Sequence, residues 1–244
     1  MKGSEARDIK DRLLAGDLSF LVTASHELKA PLALIRQLSL SLEGEEVSAG
    51  ERERMIRQIT LTTERALRLT TNISRATRLE DSLFELEPIN PHQVCEEVAH
   101  ELLPLYKANG KEIRVTSRHR PLLVVANREL LHRIMLNFGD NALYYTPTET
   151  AVELNIRSRA TGSAIRMGVR DYGPAIPIDV WKRLQKNLGK NIQTLHARPQ
   201  SSGLGLYIAS QFARAMQGEI GATRHRDGTT FYVDMHASTQ LRLL

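Results

Sequence analysis

The sequence of 244 residues contains one cysteine, one tryptophan and only 5% aromatic residues. Cys95 has no second cysteine to pair with, so an intrachain disulfide framework is excluded. The longest stretch without a charged residue, Pro199 to Ala213, is interrupted by glutamine, serine and glycine. It is shorter than the roughly 18 apolar residues of a membrane span, and the first residues lack the apolar segment of a signal peptide. These absences predict a cytoplasmic location, either for a whole protein or for the cytoplasmic part of a longer membrane-anchored receptor.

Positive charge is in small excess, with 33 Lys+Arg against 28 Asp+Glu and a formal net charge of +5. Residues 1–85 hold 13 basic and 14 acidic side chains, whereas residues 86–244 hold 20 and 14. Residues 176–200 alone contain five basic side chains and one acidic, which predicts a local site for a polyanion. Binding to nucleic acid is suggested by the pI alone. Because no basic stripe interleaved with aromatics and no zinc-ligand spacing accompanies it, no nucleic-acid partner is expected.

Helical periodicity dominates the first third of the chain. One stripe repeats at alternate spacings of four and three, as in a bundle helix, and comprises Met55, Ile59, Thr62, Ala66, Leu69, Ile73 and Ala76. An upstream helix is lined by Leu18, Leu21, Leu28, Leu32 and Ile35. The short polar stretch 43–50 between them predicts a reversal and hence a helical hairpin. One hairpin covers each stripe on one side only, which favours a homodimeric four-helix bundle, with packing on the second domain as the alternative.

Strand and helix signals alternate after a boundary near 85–91, and they indicate an α/β sandwich whose strand order the sequence leaves open. The predicted strands are Glu112 to Ser117, Leu122 to Ala126, Ala151 to Arg159, Ala164 to Tyr172, Glu219 to Arg224 and Thr229 to Met235. The predicted helices are Pro91 to Asn109, Glu129 to Tyr145 and Leu204 to Met216.

Two clusters on predicted helices carry chemistry. His26 stands directly before Glu27, and a neutral imidazole beside a carboxylate can act as a nucleophile near pH 7. Alone, such a histidine is more often an ordinary surface residue. Asn137 and Asn141 are one helical turn apart and so share a face, where amide oxygens could bind Mg²⁺ and amide nitrogens could donate to phosphate. Asparagines of a polar patch are the simpler interpretation of either residue alone.

Two further clusters lie at predicted loops. Asp171 follows a strand and precedes Gly173, so its carboxylate can accept from an exocyclic amine while the glycine admits a planar ring. A plain exit from the strand explains this turn equally well. Gly203 and Gly205 belong to a glycine-rich loop that enters a helix, where backbone N–H groups suit phosphate oxygens. The loop has Ile208 where a dinucleotide fingerprint requires a third glycine.

In this order the four clusters resemble the H, N, G1 and G2 boxes of the sensor histidine kinases of two-component systems. The resemblance extends over about residues 15 to 235. It implies an α+β protein in which residues 1–85 form the dimerisation and histidine-phosphotransfer hairpin of a dimeric four-helix bundle. Residues 86–244 would form an ATP-binding catalytic domain of the Bergerat type, an α/β sandwich. ATP and Mg²⁺ are the implied cofactors.

The resemblance also implies roles for individual residues. His26 resembles the phosphoacceptor and Glu27 its acid/base partner, while Asn141 resembles the Mg²⁺ ligand. The residues that match nucleotide-binding positions are Asn137, Asn141, Tyr145, Asp171, Gly173, Ile176, Gly203, Leu204, Gly205 and Leu206. Tyr145 would pack on the base and Asp171 would read the adenine amine. The phosphoryl group would pass from histidine to an aspartate of a separate response-regulator receiver protein.

Several positions depart from the family pattern. Ala30 stands where the family has a Thr or Asn that orients water, so little phosphatase activity is expected. Tyr144 replaces a basic residue of the N box, Ala175 replaces a glycine of the G1 box, and residues 139–211 contain no phenylalanine for the lid. These departures leave an alternative open, a degenerate kinase that binds nucleotide and acts as a dimeric signalling scaffold. The basic segment 176–200 corresponds to the lid, and neutralising Lys186, Lys190 and Arg198 is expected to weaken the use of ATP.

Overall fold

The computed structural model describes residues 2–43, 47–77, 84–116, 122–159, 163–188 and 203–239, with side chains from Phe20 onward except that of residue 187. The chain divides into two compact units, Met1–Thr77 and Arg78–Leu244. The division falls after Thr77, before the boundary predicted from the change of sequence pattern. The roles predicted for residues 1–85 and 86–244 stay predictions.

Two helices form the first unit, α1 (Lys2–Leu42) and α2 (Ala49–Ala76). A capping box starts α2: the Ser48 Oγ accepts from the Glu51 backbone N–H at 3.3 Å, and the Glu51 carboxylate accepts from the Ser48 N–H at 3.1 Å. The hydrogen bonds from Ser48 also lower the pKa of the Glu51 carboxyl. Reciprocal bonds of this kind satisfy backbone donors that the first helical turn leaves unpaired, so α2 begins at a defined residue.

Residues of the predicted stripe face α1. All seven are buried or half-buried, whereas most of the rest of α2 is exposed. On α1 the covered face includes Phe20 and Ala24, both buried. Leu21 and Leu32 were predicted to line the same face but are 52% and 59% exposed, because each lies beside rather than on the face that α2 covers. The side chain of Leu18 lies outside the described residues.

The second unit combines a mixed sheet with helices. Its elements are β1 (Glu87–Ile89), α3 (Pro91–Ala108), β2 (Glu112–Thr116), β3 (Val124–Ala126), α4 (Arg128–Tyr145), β4 (Ala151–Ser158), β5 (Ala164–Asp171), α5 (Ile178–Asn187), α6 (Leu204–Ala215), β6 (Glu219–His225) and β7 (Gly228–His236). Five strands form one sheet in the order β2-β4-β5-β7-β6, in which only the β2–β4 pairing is parallel. The strand predicted from Leu122 is shorter and pairs with β1 in a separate two-stranded sheet.

Helices α3, α4 and α6 surround the core of this unit. Asparagines at the N-caps begin α3 and α4, with Asn127 Oδ1 accepting from the Leu130 N–H at 3.1 Å. The Tyr106 hydroxyl of α3 donates to the Gly139 carbonyl of α4 at 2.8 Å, and burial raises the pKa of that hydroxyl strongly. On β5, alternate side chains such as Met167 are fully buried, which is the period expected of a strand with one face on a helical layer. This packing holds α4 and β5 in fixed register.

Helix α5 was not among the predicted helices. It carries Trp181, the only tryptophan of the chain, half-buried, and its Leu184 is buried in the core. In the part of the chain that the structure describes, no helix has both the length and the apolar character needed to cross a bilayer.

Candidate functional site

Three of the four predicted motifs meet in the second unit. Asn137, Asn141 and Tyr145 lie on α4 at intervals of four residues and therefore on one side of it. Asp171 ends β5, and Gly203 precedes α6. Both β5 and α6 pack against α4. The residues of the N, G1 and G2 boxes thus lie on elements that pack together.

Gly173 packs against the end of α4. A Cβ built at Gly173 would lie 2.5 Å from the Tyr145 carbonyl oxygen and 3.1 Å from the Tyr145 Cβ. Atoms cannot approach that closely, so only glycine fits. The close approach fixes the loop after β5 beside Tyr145, the residue predicted to pack on a base.

Asp171 supplies a buried carboxylate at the same place. The side chain is 2% exposed, and its Oδ1 accepts from the Gly173 N–H at 3.0 Å. A carboxylate held by a backbone donor keeps a fixed orientation, and its remaining lone pairs can accept from an amine. The role of Asp171 in binding the adenine amine stays a prediction.

The N box and the G2 loop are in direct contact. The Asn137 Nδ2 donates to the Gly205 carbonyl at 3.5 Å, a long hydrogen bond. Gly203 caps α6 with a left-handed backbone, at a φ of 75°. Around Gly205 the space is open, since a Cβ there would meet nothing within 4 Å among the described atoms. Among the described atoms, the first turn of α6 therefore leaves space beside Gly205, and the backbone N–H groups of a helix N-terminus suit phosphate oxygens.

Three predicted binding residues have apolar side chains that lie in the core. Ile176, Leu204 and Leu206 are 1%, 0% and 4% exposed. The Ile176 carbonyl accepts from the Arg224 Nε at 2.6 Å, which ties the loop after β5 to β6. A contribution of these residues to ligand binding would therefore come from their backbone groups.

Thr146, next to Tyr145, was not singled out by sequence reasoning. The residue is 2% exposed, and its Oγ1 has no hydrogen-bond partner among the described residues. A buried hydroxyl without a partner costs free energy, on the order of 1–3 kcal/mol. Such an atom, one residue after Tyr145, fits a site completed by a ligand or a bound water. No sequence signal distinguished this threonine from an ordinary helix-ending residue.

The C-terminal end of α4 is held by Lys111. Its Nζ donates to the Leu143 carbonyl at 2.6 Å, and partial burial lowers its pKa. Tyr144, which stands where the family has a basic residue, is 53% exposed and makes an edge contact with the Tyr145 ring at a centroid distance of 5.0 Å. The phenol of Tyr144 thus supports Tyr145 and offers no positive charge.

The predicted lid is described in part. Lys182, Arg183 and Lys186 are exposed on α5, and Arg183 pairs with Asp179 at 3.3 Å. Lys190 and Arg198 lie outside the described residues. The basic character expected of this segment is therefore present on α5 at three side chains.

The predicted phosphoacceptor lies in the first unit. His26 is exposed on α1, while Glu27 is half-buried. Ala30 is also exposed, one helical turn after the histidine. An exposed imidazole on a helix is accessible to another macromolecule or domain.

Among the described residues, no group of three or more His, Cys, Asp or Glu side chains could hold a metal ion. A cation such as Mg²⁺ would need the amide oxygen of Asn141 together with oxygens of a ligand, which matches the few protein ligands that Mg²⁺ takes. The site combines the buried Asp171 carboxylate, the amides of Asn137 and Asn141, and the glycines at the start of α6. These groups lie on or against α4, and together they fit a purine nucleotide with its phosphates.

Comparison with known families agrees with this geometry. Residues 126–239 match the family described as histidine kinase-, DNA gyrase B-, and HSP90-like ATPase. Over 225 residues the chain is 29% identical to the heme sensor protein HssS of Staphylococcus haemolyticus (strain JCSC1435), a match that covers 88% of this chain and 46% of HssS. The chain therefore spans less than half the length of this curated relative.

Two solved structures share the fold. Full-length ShkA in complex with AMPPNP is 24% identical with a TM-score of 0.59, and the match covers 90% of this chain and 46% of that one. The histidine kinase ThkA in complex with the response regulator protein TrrA is 18% identical with a TM-score of 0.62, covering 97% and 66%. A helical N-terminal region followed by a mixed-sheet ATPase domain is thus confirmed as the fold, in the predicted α+β class.

Proposed function

Because the chain belongs to the sensor histidine kinase family, we propose that it transfers the γ-phosphoryl group of ATP to His26 and then to an aspartate of a response-regulator receiver domain. The observation that carries the proposal is the convergence of three motifs on α4. Asn137 contacts Gly205, and Gly173 packs on Tyr145 beside the buried Asp171. In this arrangement Asp171 accepts from the adenine amine, Tyr145 lies along the base, and the first turn of α6 at Gly205 receives the phosphates.

The proposed chemistry is a displacement at phosphorus. A neutral ring nitrogen of His26 attacks the γ-phosphorus, the bond from that phosphorus to the bridging oxygen breaks, and ADP leaves. Glu27 holds the imidazole or accepts its proton. When bound, Mg²⁺ would neutralise the phosphate oxygens, with the Asn141 amide oxygen as its protein ligand. Since ATP is the donor, the reaction belongs in the cytoplasm.

A homodimer is the proposed assembly. Outside the face that joins the two helices of the hairpin, α1 exposes Leu21 and Leu32, and α2 exposes Ile56 and Leu67. Each pair is separated by eleven residues, about three helical turns, so its members lie on one side of their helix. A second copy would cover these side chains and complete a four-helix bundle.

The receiver partner is proposed from the family and from the fold. ThkA, which shares the fold, was solved with a response regulator protein. His26 is exposed on a helix, as transfer to a second protein requires. The proposed second step moves the phosphoryl group from the histidine nitrogen to a carboxylate oxygen and regenerates neutral His26.

A degenerate kinase is the second candidate. Tyr144 is exposed where a basic residue would contact phosphate, and Ala175 replaces a glycine in the loop after β5. A protein of this kind would bind ATP without forming phosphohistidine. The two candidates therefore differ in a single measurable product.

Incubation with γ-labelled ATP and Mg²⁺ tests the proposal. Wild type should acquire acid-labile, alkali-stable label, and His26→Ala should acquire none. His100→Ala is a matched control, since His100 is also exposed on a helix but belongs to α3. Equal label in wild type and His26→Ala would reject His26 as the acceptor. Nucleotide binding without label in wild type would establish the degenerate kinase instead.

A further inference from the structure

Arg170 connects the end of β5, at Asp171, to the turn between β6 and β7. The Arg170 Nη2 donates to the Asp227 Oδ1 at 2.5 Å, and its Nη1 donates to the backbone carbonyl of Asp171. The Arg170 side chain is only 11% exposed. Its guanidinium group thus bridges the end of β5 and the turn between β6 and β7.

That turn lies close to the Asp171 carboxylate. Gly228 follows Asp227 with a φ of +127°, a conformation that favours glycine. A Cβ on Gly228 would lie 2.8 Å from the Asp171 Oδ1. Thr229 is fully buried and pairs in register with Asp171. A movement of the turn would therefore reach the carboxylate that we assign to the base.

The other side of the Arg170 guanidinium is closed by an aromatic ring. Its central carbon lies 4.4 Å from the centroid of the Tyr172 ring, close enough for a cation–π interaction. Burial and the nearby Glu153 carboxylate raise the pKa of the Tyr172 hydroxyl, which also hydrogen-bonds to Glu153. Glu153 in turn pairs with Arg114 at 2.5 Å. The Arg170 guanidinium therefore lies between the Tyr172 ring, the Asp171 carbonyl and the Asp227 carboxylate.

Resting on the proposed function, we propose that Arg170 is a positioning residue of the nucleotide site. It holds the Asp171 carbonyl and the Asp227 carboxylate together, and so fixes the angle at which the Asp171 carboxylate meets the purine amine. Arg170 itself touches no nucleotide atom in this scheme. Its loss should thus reduce discrimination between bases more than it reduces binding of the phosphates.

Binding of ATP and of ITP, which has an oxygen in place of the 6-amino group, separates these effects. Wild type should prefer ATP by at least about tenfold, because a carboxylate that faces a carbonyl oxygen loses its hydrogen bond. Arg170→Met keeps the aliphatic part of the side chain and removes the guanidinium group. We expect the preference for ATP over ITP to fall by about fivefold or more. Asp227→Asn removes the charge partner and should lower the preference in the same direction. Titration calorimetry with the full chain measures both affinities.

Arg166→Met is the matched control. Arg166 lies on the same face of β5, pairs with Asp234, and stacks 3.4 Å from the Tyr232 ring centroid, but it does not bridge to Asp171. Its loss should leave the preference for ATP at the wild-type value. An equal loss of preference in Arg166→Met and Arg170→Met would show a general effect on the sheet and overturn the inference.

The remaining outcomes are also decisive. If wild type binds neither nucleotide, the proposed function is rejected. If it binds both with equal affinity, recognition of the base by Asp171 is rejected, and the inference about Arg170 with it. If wild type prefers ATP and folded Arg170→Met keeps that preference, only the inference about Arg170 fails. Should Arg170→Met not fold by circular dichroism, Asp227→Asn and Arg170→Lys decide in the same assay. An unchanged preference in both would overturn the inference, since lysine keeps the charge but cannot hold two acceptors in the same fork.

Discussion

The carbonyl oxygen of Tyr145 occupies the space where a side chain of residue 173 would begin. The distance from that oxygen to a Cβ built on Gly173 is 2.5 Å, so the loop after β5 lies directly against the backbone of Tyr145 at the end of α4. Backbone contacts cannot relax by a change of rotamer. The base-binding side of the proposed site is therefore sensitive to a single methyl group.

Gly173→Ala should weaken both folding and nucleotide binding. The methyl group displaces Tyr145 or the loop, and overpacking of this kind typically costs about 1–3 kcal/mol. Thermal unfolding of the variant should begin at lower temperature, and ATP affinity measured by calorimetry should fall. A variant with unchanged affinity and unchanged midpoint would show that the two backbones do not need this approach.

Gly205→Ala should weaken ATP binding without lowering the stability of the fold. Among the described atoms a Cβ at Gly205 meets nothing within 4 Å, and alanine favours a helix over glycine by up to about 1 kcal/mol. The thermal midpoint should therefore stay the same or rise. ATP affinity should nevertheless drop by about tenfold or more, because the methyl group enters the space through which phosphate reaches the backbone N–H groups. Normal ATP affinity would place the phosphates elsewhere.

Charged residues at Leu32 and Leu67 should dissociate the proposed dimer. Both side chains are exposed in the single hairpin, at 59% and 62%, so Leu32→Glu and Leu67→Glu leave the hairpin's own packing intact. Burial of an unpaired carboxylate in a dimer interface would cost several kcal/mol. Analytical ultracentrifugation should show a monomer for the double variant and a dimer for wild type. Gln37→Glu adds the same charge at an exposed polar position of α1 and should remain dimeric.

Ala30→Thr should increase dephosphorylation of a receiver. Ala30 is exposed one turn after His26 and lacks the hydroxyl with which the family orients water. With a receiver that accepts phosphoryl groups from this kinase, wild type should release phosphate slowly and the variant faster. Release by wild type that is already rapid and dependent on the hairpin would contradict the predicted lack of phosphatase activity. Ala33→Thr, another exposed alanine of α1, should leave the rate unchanged.

Protonation of Asp234 should lower the free energy of unfolding at acid pH. Burial raises the pKa of its carboxyl, but hydrogen bonds and charges from Arg166 and Arg159, at 2.7 and 2.6 Å, outweigh burial and lower the pKa overall. A folded-state pKa below the unfolded value gives stability that is complete above the unfolded pKa and is lost as pH falls through the folded one. Asp234→Asn should cost about 1–3 kcal/mol at pH 7.

Thermal unfolding at several pH values checks the sign of this effect. The difference between wild type and Asp234→Asn should be largest at neutral pH and shrink as pH falls from about 4, where the unfolded carboxyl takes up its proton. A difference that grows towards low pH would contradict the lowered pKa.

The regular parts of the fold followed from local pattern. Alternate residues of β4, such as Val152 and Leu154, are buried, so the strand was visible in the sequence. The three-residue β1 contains Pro88 and gives no alternation, and it exists only through its pairing with β3. The exposure of Leu21 and Leu32 was also missed, since periodicity alone does not tell which apolar face of a helix its neighbour covers.

The site was predictable as far as its motifs were local. Asn137 and Asn141 share a face by helical geometry, whereas the contact of Asn137 with Gly205 joins residues far apart in the chain. The roles of Thr146 and Arg170 depend on such distant partners, and no short motif encodes them. Long-range packing decides which hydroxyl lacks a partner and which arginine bridges two loops.

The single tryptophan of the chain, on α5, is an intrinsic fluorescence probe. Trp181 is the only tryptophan in the chain, so indole emission excited selectively over tyrosine originates from one known position. That position lies on the basic helix beside the loop at Ile176. Stopped-flow emission after mixing with ATP would therefore time the response of this helix without any label.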